Sequence, residues 1–173
     1  MGTNLALHEM QYLCYDRYAA SVNDLVTHYI QQIDLSAPPA PVPVPNSNTP
    51  TASSKKPRTR KLAKAVADRI GEGTFVCDCI RWKVDLGSAR NGGPRDPTIP
   101  FGNLIVTEII DKKTLRVLID YVSTSGGHLR ACAAKLKEKG ATVGAAFWAG
   151  KTFHEPAVSA FSCFQETLED YNP

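Results

Sequence analysis

The apolar positions divide the chain into three blocks, of which the first is residues 1–35. From Leu25 to Ile33 apolar side chains recur at helical spacing, which predicts a helix. Ser21, followed three residues later by Asp24, is typical of its start. One or two helices of this size cannot hold a core alone, so we expect this segment to dock on the rest of the chain, as a hood or as docking helices.

The second block, residues 36–60, contains seven of the 12 prolines. Its composition predicts an extended or disordered linker. The basic end, from Lys55 to Arg60, has two interpretations: a patch that attracts nucleic acid, or a solvated linker that runs into a helix. No aromatic residue lies among these charges, so we favour the solvated linker and do not expect nucleic acid as a partner.

The third block, residues 61–173, alternates strand and helix patterns and is predicted to be an α/β core. The predicted elements are a helix at 61–70, strands at 74–82, 103–110 and 114–121, a helix at 128–139 and a strand at 141–149. Strand, helix and strand in this order predict a βαβ unit and a parallel sheet. The stretch 85–100 contains three glycines and three prolines and is predicted to be a long loop of the kind that covers a site.

Composition places the 173-residue chain among globular proteins, with 43% apolar residues, 21% charged residues and a net charge of +3. No secretory signal and no run of eighteen apolar residues is visible, so we expect no membrane span. Five cysteines without framework spacing fit a reducing compartment, and we predict a cytoplasmic protein. Cys77 and Cys79 are interpreted as buried thiols of a strand rather than as metal ligands.

Candidate chemistry lies in residues 114–140, TLRVLIDYVSTSGGHLRACAAKLKEKG. Asp120 ends a buried strand, and a loop of small residues with Gly126 and Gly127 leads into a helix. At the carboxyl end of a parallel strand, such a loop and the helix N-terminus form a site for an anion. An acid beside a bound phosphate suits sugar hydroxyls or a hydrated Mg²⁺.

The same stretch resembles the ribose-phosphate binding motif of type I phosphoribosyltransferases. The resemblance covers about thirty residues: an apolar strand, an acid at Asp120, the loop Thr124, Ser125, Gly126 and Gly127, a helix, and Gly140 followed by Ala141. It implies a phosphoribosyltransferase-like parallel sheet of about five strands flanked by helices, with a small hood formed by the N-terminal helices and the tail after Phe153.

The resemblance also implies a ligand and roles for named residues. The donor would be 5-phosphoribosyl 1-diphosphate (PRPP), or a nucleotide would bind instead, with Mg²⁺ as the cofactor. The loop from Thr124 to His128 would hold the 5′-phosphate, and Asp120 would lie near the ribose hydroxyls and reach the metal through water. An acceptor nitrogen, not identified by the sequence, would displace pyrophosphate. The candidate pyrophosphate contacts are Arg81, Lys83, Arg90 and Arg95. A homodimer is compatible with this assignment.

Two positions depart from the family pattern. Tyr121 stands where the motif has a second acid, and His128 stands where the loop ends in threonine. Three functions therefore stay open: an active phosphoribosyltransferase, a related module that has lost catalysis and binds a nucleotide or phosphosugar as a regulator, and an interaction protein without a ligand. Tyr121 favours the second of them.

Overall fold

The computed structural model describes residues 2–4, 38–52, 56–87, 96–108, 111–151, 164–166 and 170–173. The predicted N-terminal helix, the linker residues 53–55, Arg90, Arg95 and most of the tail after Phe153 lie outside these residues.

The described elements alternate between strands and helices along the chain. They are β1 (Gly2–Asn4), β2 (Ala40–Pro43), α1 (Thr59–Ile70), β3 (Ile80–Trp82), α2 (Thr98–Asn103), β4 (Leu104–Val106), β5 (Leu115–Ser123), α3 (Gly127–Glu138), β6 (Thr142–Lys151) and β7 (Phe164–Glu166). Among the described residues, no helix is long and apolar enough to cross a membrane.

The main sheet has the strand order β2-β5-β6-β1-β7. The first four of these strands pair in parallel, and β7 pairs with β1 in the antiparallel direction. β3 and β4 form a separate antiparallel pair. The predicted α/β architecture, with a mainly parallel sheet of about five strands, is confirmed within the described part of the chain. The predicted βαβ unit is β5–α3–β6, whose strands are adjacent in the sheet.

Both faces of β5 are buried, because helices cover the sheet on both sides. Leu118 belongs to the cluster that includes Leu129, Cys132 and Leu136 of α3. Val117 and Ile119 belong to the cluster on the other face, which includes Leu62, Ala63 and Val66 of α1. This burial accounts for the nearly continuous apolar run of β5, since each side chain meets a core whichever way it points.

The linker predicted at residues 36–60 to be extended or disordered includes β2, which is extended and ordered in the sheet. Residues 39–45 are buried, and Ala40–Pro43 pairs in parallel with β5. The amide of Val44 donates to the carbonyl of Ile119 at 2.9 Å, so alternate residues of β2 face β5 with their N–H groups. Pro41 and Pro43 occupy the alternate positions, whose backbone nitrogens point away from β5. The N–H that each proline lacks is therefore not needed for pairing with β5. Proline is tolerated on an edge strand in this orientation.

Three further predictions need correction. The strand predicted at 74–82 is reduced to β3, and within the described residues the strand predicted at 103–110 is reduced to β4. Residues 74–79 form no ladder. Isolated backbone hydrogen bonds hold them instead: the amide of Cys77 donates to the carbonyl of Pro41 at 2.9 Å, and the amide of Thr107 donates to the carbonyl of Cys79 at 2.8 Å. The predicted loop 85–100 ends in the first turn of α2.

Candidate functional site

The junction between β5 and α3 is shorter than predicted. β5 continues through Val122 to Ser123, and α3 begins at Gly127. The connecting loop is therefore the three residues 124–126, and Gly127 and His128 belong to the first turn of the helix. A loop this short fixes the direction of the helix N-terminus relative to the end of the strand.

Gly126 makes this tight connection possible. It adopts φ 73° and ψ 4°, the left-handed conformation that is strained for other residues. Its carbonyl accepts the amide of Arg130 at 2.9 Å, which closes the first helical turn. The N-cap residue of α3 is Gly126, which has no side chain to cap the helix, and the first turn of α3 contains no acid. The positive end of the helix dipole is therefore available to an anion.

Asp120 lies three residues before the end of β5 and is half-buried. The amide of Tyr121 donates to its Oδ1 at 2.7 Å. Burial raises the pKa of the Asp120 carboxyl to about 7, although the amides of Tyr121 and Val122 oppose the rise. Among the described residues, no cation forms a salt bridge with Asp120. The carboxyl is thus poised to lose its proton when a cation or a hydroxyl donor arrives.

Tyr121 does not share the face of β5 that Asp120 occupies. Successive residues of a strand point to opposite faces, and Tyr121 packs against the α1-side cluster. Asp120 lies on the α3 side, where its charge and, above all, burial raise the pKa of the Cys132 thiol. The Tyr121 side chain therefore lies on the opposite side of β5 from the Asp120 carboxyl.

His128 lies against the small sheet. Its ring centroid is 5.3 Å from that of Trp82, with the two planes inclined by 58°. Burial lowers the pKa of His128, so its ring is neutral at pH 7. Trp82 is held in turn by a hydrogen bond of 3.0 Å from its Nε1 to the carbonyl of Pro45. A neutral imidazole in the first turn of α3 can donate one N–H to a phosphate.

The two described candidates for pyrophosphate contacts already have partners. Arg81 forms an ion pair with Asp78 at 2.5 Å and donates to the carbonyl of Ile80 at 2.8 Å. Lys83 is exposed, and its Nζ donates to the carbonyl of Gly102 at 2.8 Å. A pyrophosphate would have to compete with Asp78 for Arg81, whereas Lys83 would give up only one exposed hydrogen bond.

Three polar groups near the junction were not predicted from the sequence. Nη2 of Arg130 is 3.5 Å from the carbonyl oxygen of Ser125, beside the loop. Ser123 ends β5 with a buried hydroxyl, and Trp148 lies opposite Asp120 on β6 with a buried indole N–H. Neither the hydroxyl nor the indole N–H has a hydrogen-bond partner among the described residues. The positions of Ser123 and Trp148 follow from strand register, which local sequence patterns do not reveal. Arg130 stands only three residues after Gly127, so the sequence places it close to the loop.

The described residues form no cluster of three or more groups that could hold a metal ion. Asp120 is the carboxylate that β5 contributes at the junction. Magnesium usually keeps several waters and binds through one or two carboxylates together with substrate phosphates. The residues of this site therefore fit a Mg²⁺ that arrives with a phosphorylated ligand.

No protein-family model and no curated protein matches the chain. Among solved structures, the chain is similar to a hypoxanthine phosphoribosyltransferase from Staphylococcus aureus, with a TM-score of 0.49 and 10% sequence identity. The match covers 84% of this chain and 73% of the other. A likeness of this size assigns neither a family nor a function, so both rest on the residues themselves.

Proposed function

We propose that this chain is a phosphoribosyltransferase-like protein that binds the 5′-phosphate of PRPP or of a nucleotide at residues 124–128. The observation that carries the proposal is the left-handed Gly126 between the end of β5 and the uncapped N-terminus of α3. It turns the chain within three residues, which leaves the amides of the first helical turn for a dianion. Thr124 and Ser125 supply hydroxyl groups, and His128 supplies a ring N–H.

Asp120 gives this proposal its sugar specificity. It precedes the loop on the same strand, so a ligand whose phosphate lies on α3 would extend its ribose toward this carboxyl. A ribose hydroxyl or a hydrated Mg²⁺ would stabilise the ionised carboxylate and lower its pKa from about 7. Arg130, beside the loop, is the cation we propose as an additional phosphate contact.

The proposed reaction is transfer of the phosphoribosyl group to a nitrogen acceptor. The acceptor would displace pyrophosphate at the ribose C1 through an oxocarbenium-like transition state. Such a reaction depends on positioning and on charge stabilisation, and it needs no nucleophile from the protein. Mg²⁺ would neutralise the diphosphate, Asp120 would orient the ribose, and residues 124–128 would anchor the phosphate.

A second function is a binding module without catalysis, and two observations favour it. Tyr121 stands where the family motif has a second acid, so this chain has one acid where the motif has two. Arg81 is paired with Asp78, so a pyrophosphate would have to compete with this carboxylate for one of the expected contacts. A module of this kind would bind a nucleotide or phosphosugar and would signal its level to a partner.

Thermal unfolding of the full chain with PRPP, with and without Mg²⁺, tests the binding proposal. A ligand present at about 100 times its Kd stabilises the folded state by about 2.7 kcal/mol. We expect stabilisation by PRPP and by ribose 5-phosphate, and a weaker effect of ribose. If neither phosphorylated sugar raises the unfolding temperature, the remaining hypothesis is the interaction protein, in which the loop is only a turn.

Pyrophosphate release from PRPP in the presence of a panel of nitrogen bases then separates the transferase from the binding module. For the transferase we expect Asp120→Asn to abolish turnover. The matched control is Asp68→Asn, because Asp68 lies exposed on α1 in an ion pair with Lys64. Turnover that survives Asp120→Asn would contradict the assigned role, and binding without turnover by the native chain would favour the regulatory module.

A further inference from the structure

A pair of thiols lies away from this junction, between the edge of the main sheet and the small sheet. Cys77 and Cys79 are 6% and 0% exposed and belong to the same apolar cluster. Asp78 between them points the other way, toward Arg60 at 3.2 Å and Arg81 at 2.5 Å. Alternation along the chain therefore places the two side chains on the same side of the segment, in the same apolar cluster.

A buried cation, Arg116, accompanies the two thiols and is only 2% exposed. Its guanidinium donates to the carbonyls of Thr114 at 2.8 Å and Asp111 at 3.1 Å, and its Nε has no hydrogen-bond partner among the described residues. No carboxylate within the described chain forms a salt bridge with it. A buried cation needs a nearby anion. Strand register places Arg116 opposite Ala40, next to Pro41, whose carbonyl accepts the amide of Cys77.

The electrostatics of the pair are asymmetric. The hydrogen bond from Cys79 and the charge of Arg116 lower the pKa of Cys77 to about 7, against the effects of burial and of the Glu108 carboxylate. The same thiol–thiol bond, together with burial, raises the pKa of Cys79 above its ordinary value. One thiol is therefore prepared to attack as a thiolate while the other keeps its proton.

We propose that Cys77 and Cys79 are a redox modification site that forms a reversible intramolecular disulfide on reaction with a hydroperoxide. Cys77 is the attacking thiolate, and Cys79 is the resolving thiol. Arg116 acts as a positioning residue that holds the negative charge of Cys77 inside the protein.

The reaction has two balanced steps. The Cys77 thiolate attacks one peroxide oxygen, an S–O bond forms, the O–O bond breaks, and the departing hydroxide takes a solvent proton to become water. The sulfur of Cys79 then attacks the sulfur of Cys77, the S–S bond forms, and the S–O bond breaks. Hydroxide leaves with the Cys79 proton. From two thiols and one hydrogen peroxide the products are one disulfide and two waters.

The chain spacing permits this bond. Two residues of extended chain separate the Cα atoms by about 6.6 Å, at the upper end of the range of about 4.4–6.8 Å that disulfides span. A disulfide also needs the Cβ atoms at about 3.5–4.5 Å, so the backbone of residues 77–79 must contract as the bond forms. The described residues at 77–79 belong to no helix or ladder that would resist a small adjustment. Of the two residues, Cys77 is the more exposed, at 6% against 0% for Cys79.

The test uses the full chain with Cys14→Ser and Cys163→Ser, which leaves Cys77, Cys79 and Cys132. The protein is treated with hydrogen peroxide, denatured in a thiol-alkylating reagent and digested with trypsin. Residues 70–81 form one tryptic peptide with both thiols, and residues 131–135 form another that contains Cys132. We expect the first peptide to lose two hydrogens, to escape alkylation and to recover with dithiothreitol, while Cys132 is alkylated throughout.

Single variants assign the roles of the two sulfurs. In Cys79→Ser, we expect dimedone to trap a sulfenic acid on Cys77; in Cys77→Ser, we expect no adduct on Cys79. Arg116→Met should slow disulfide formation by about tenfold or more, because less of Cys77 is thiolate at pH 7. Two alkylated thiols on the 70–81 peptide, under conditions that oxidise added N-acetylcysteine, would overturn the proposal, as would an adduct that forms on Cys79 alone. The cysteine variants decide the matter even if Arg116→Met does not fold.

Discussion

Asp120 and Trp148 lie opposite each other in the parallel register of β5 and β6. One contributes a half-buried carboxyl, and the other contributes a buried indole N–H without a hydrogen-bond partner among the described residues. Residues in register on neighbouring strands share a face of the sheet, here the face that α3 covers. An acid on this face is costly to ionise, and its pKa of about 7 expresses that cost.

We predict that Asp120→Asn stabilises the chain at high pH. The carboxyl has its ordinary pKa of 3.8 when unfolded and about 7 when folded, so the folded state holds the proton more tightly. Stability therefore falls as the pH rises from about 4 to 7, and the asparagine variant escapes a loss of about 2 to 4 kcal/mol. Denaturant unfolding at pH 4.5 and pH 8 measures the difference.

The exposed Asp68→Asn is the control for this experiment and should show no comparable gain. Equal stability of the native chain and Asp120→Asn at pH 8 would contradict a burial-raised pKa. The same variant is expected to lose turnover. A protein that becomes more stable and less active would show that the cost of ionising the buried Asp120 is retained for function.

We predict that Gly126→Ala destabilises the chain by about 1 to 2 kcal/mol and removes the stabilisation by PRPP. A Cβ at φ 73° strains the backbone, and relief of that strain would move the loop amides. Gly71→Ala is the control, because Gly71 also has a positive φ, 106°, and lies at the end of α1 with no atom within 4 Å of an added Cβ. It should lose stability and keep the ligand response. If PRPP stabilises both variants equally, phosphate binding does not depend on Gly126.

We predict that Val42→Ala costs about 1 to 3 kcal/mol of unfolding free energy, because Val42 is fully buried in β2. Val84→Ala makes the same chemical change at a side chain that is 61% exposed, and it should cost almost nothing. Urea unfolding of the two variants compares them directly. Equal stabilities would show that the proline-rich segment contributes no packing energy.

We predict that Thr59→Val costs about 1 to 2 kcal/mol. The buried Thr59 hydroxyl donates to the carbonyl of Val44 at 2.7 Å and so links the start of α1 to the end of β2. Thr74→Val is the matched control, because the buried Thr74 hydroxyl has no hydrogen-bond partner among the described residues. Its replacement should be neutral or stabilising in calorimetry, and a larger loss at Thr74 than at Thr59 would contradict this account.

The β5–α3–β6 unit was predictable because its local signals agree. A nearly continuous apolar run fits a strand buried on both faces, and Gly140 ends the next helix at a positive φ of 84°. The position of Asp120 near the end of β5 and the loop before α3 follow from the same signals. The high proline content of this segment predicts a linker, so β2 was missed. The prolines occupy alternate positions, which leaves one row of N–H groups intact, and this alternation is visible in the sequence.

Contacts between distant parts of the chain could not be predicted. The tilted ring contact of His128 with Trp82 and the register of Asp120 with Trp148 depend on how elements meet rather than on what each element contains. The ion pair between Arg81 and Asp78 is local, at three residues' separation, but residues 74–79 form no regular strand on which to place it. Sequence patterns therefore predicted the acid and the loop and missed the groups that surround them.

The prolines of β2 also determine how this sheet ends. An ordinary edge strand has a free row of backbone donors and acceptors to which another molecule can add a strand. Such pairing leads to fibrils and domain-swapped assemblies. On β2, Pro41 and Pro43 leave no donors to offer, and the carbonyl of Pro41 is already bonded to Cys77. The segment that looks least able to fold thus protects the folded molecule against intermolecular growth along this border.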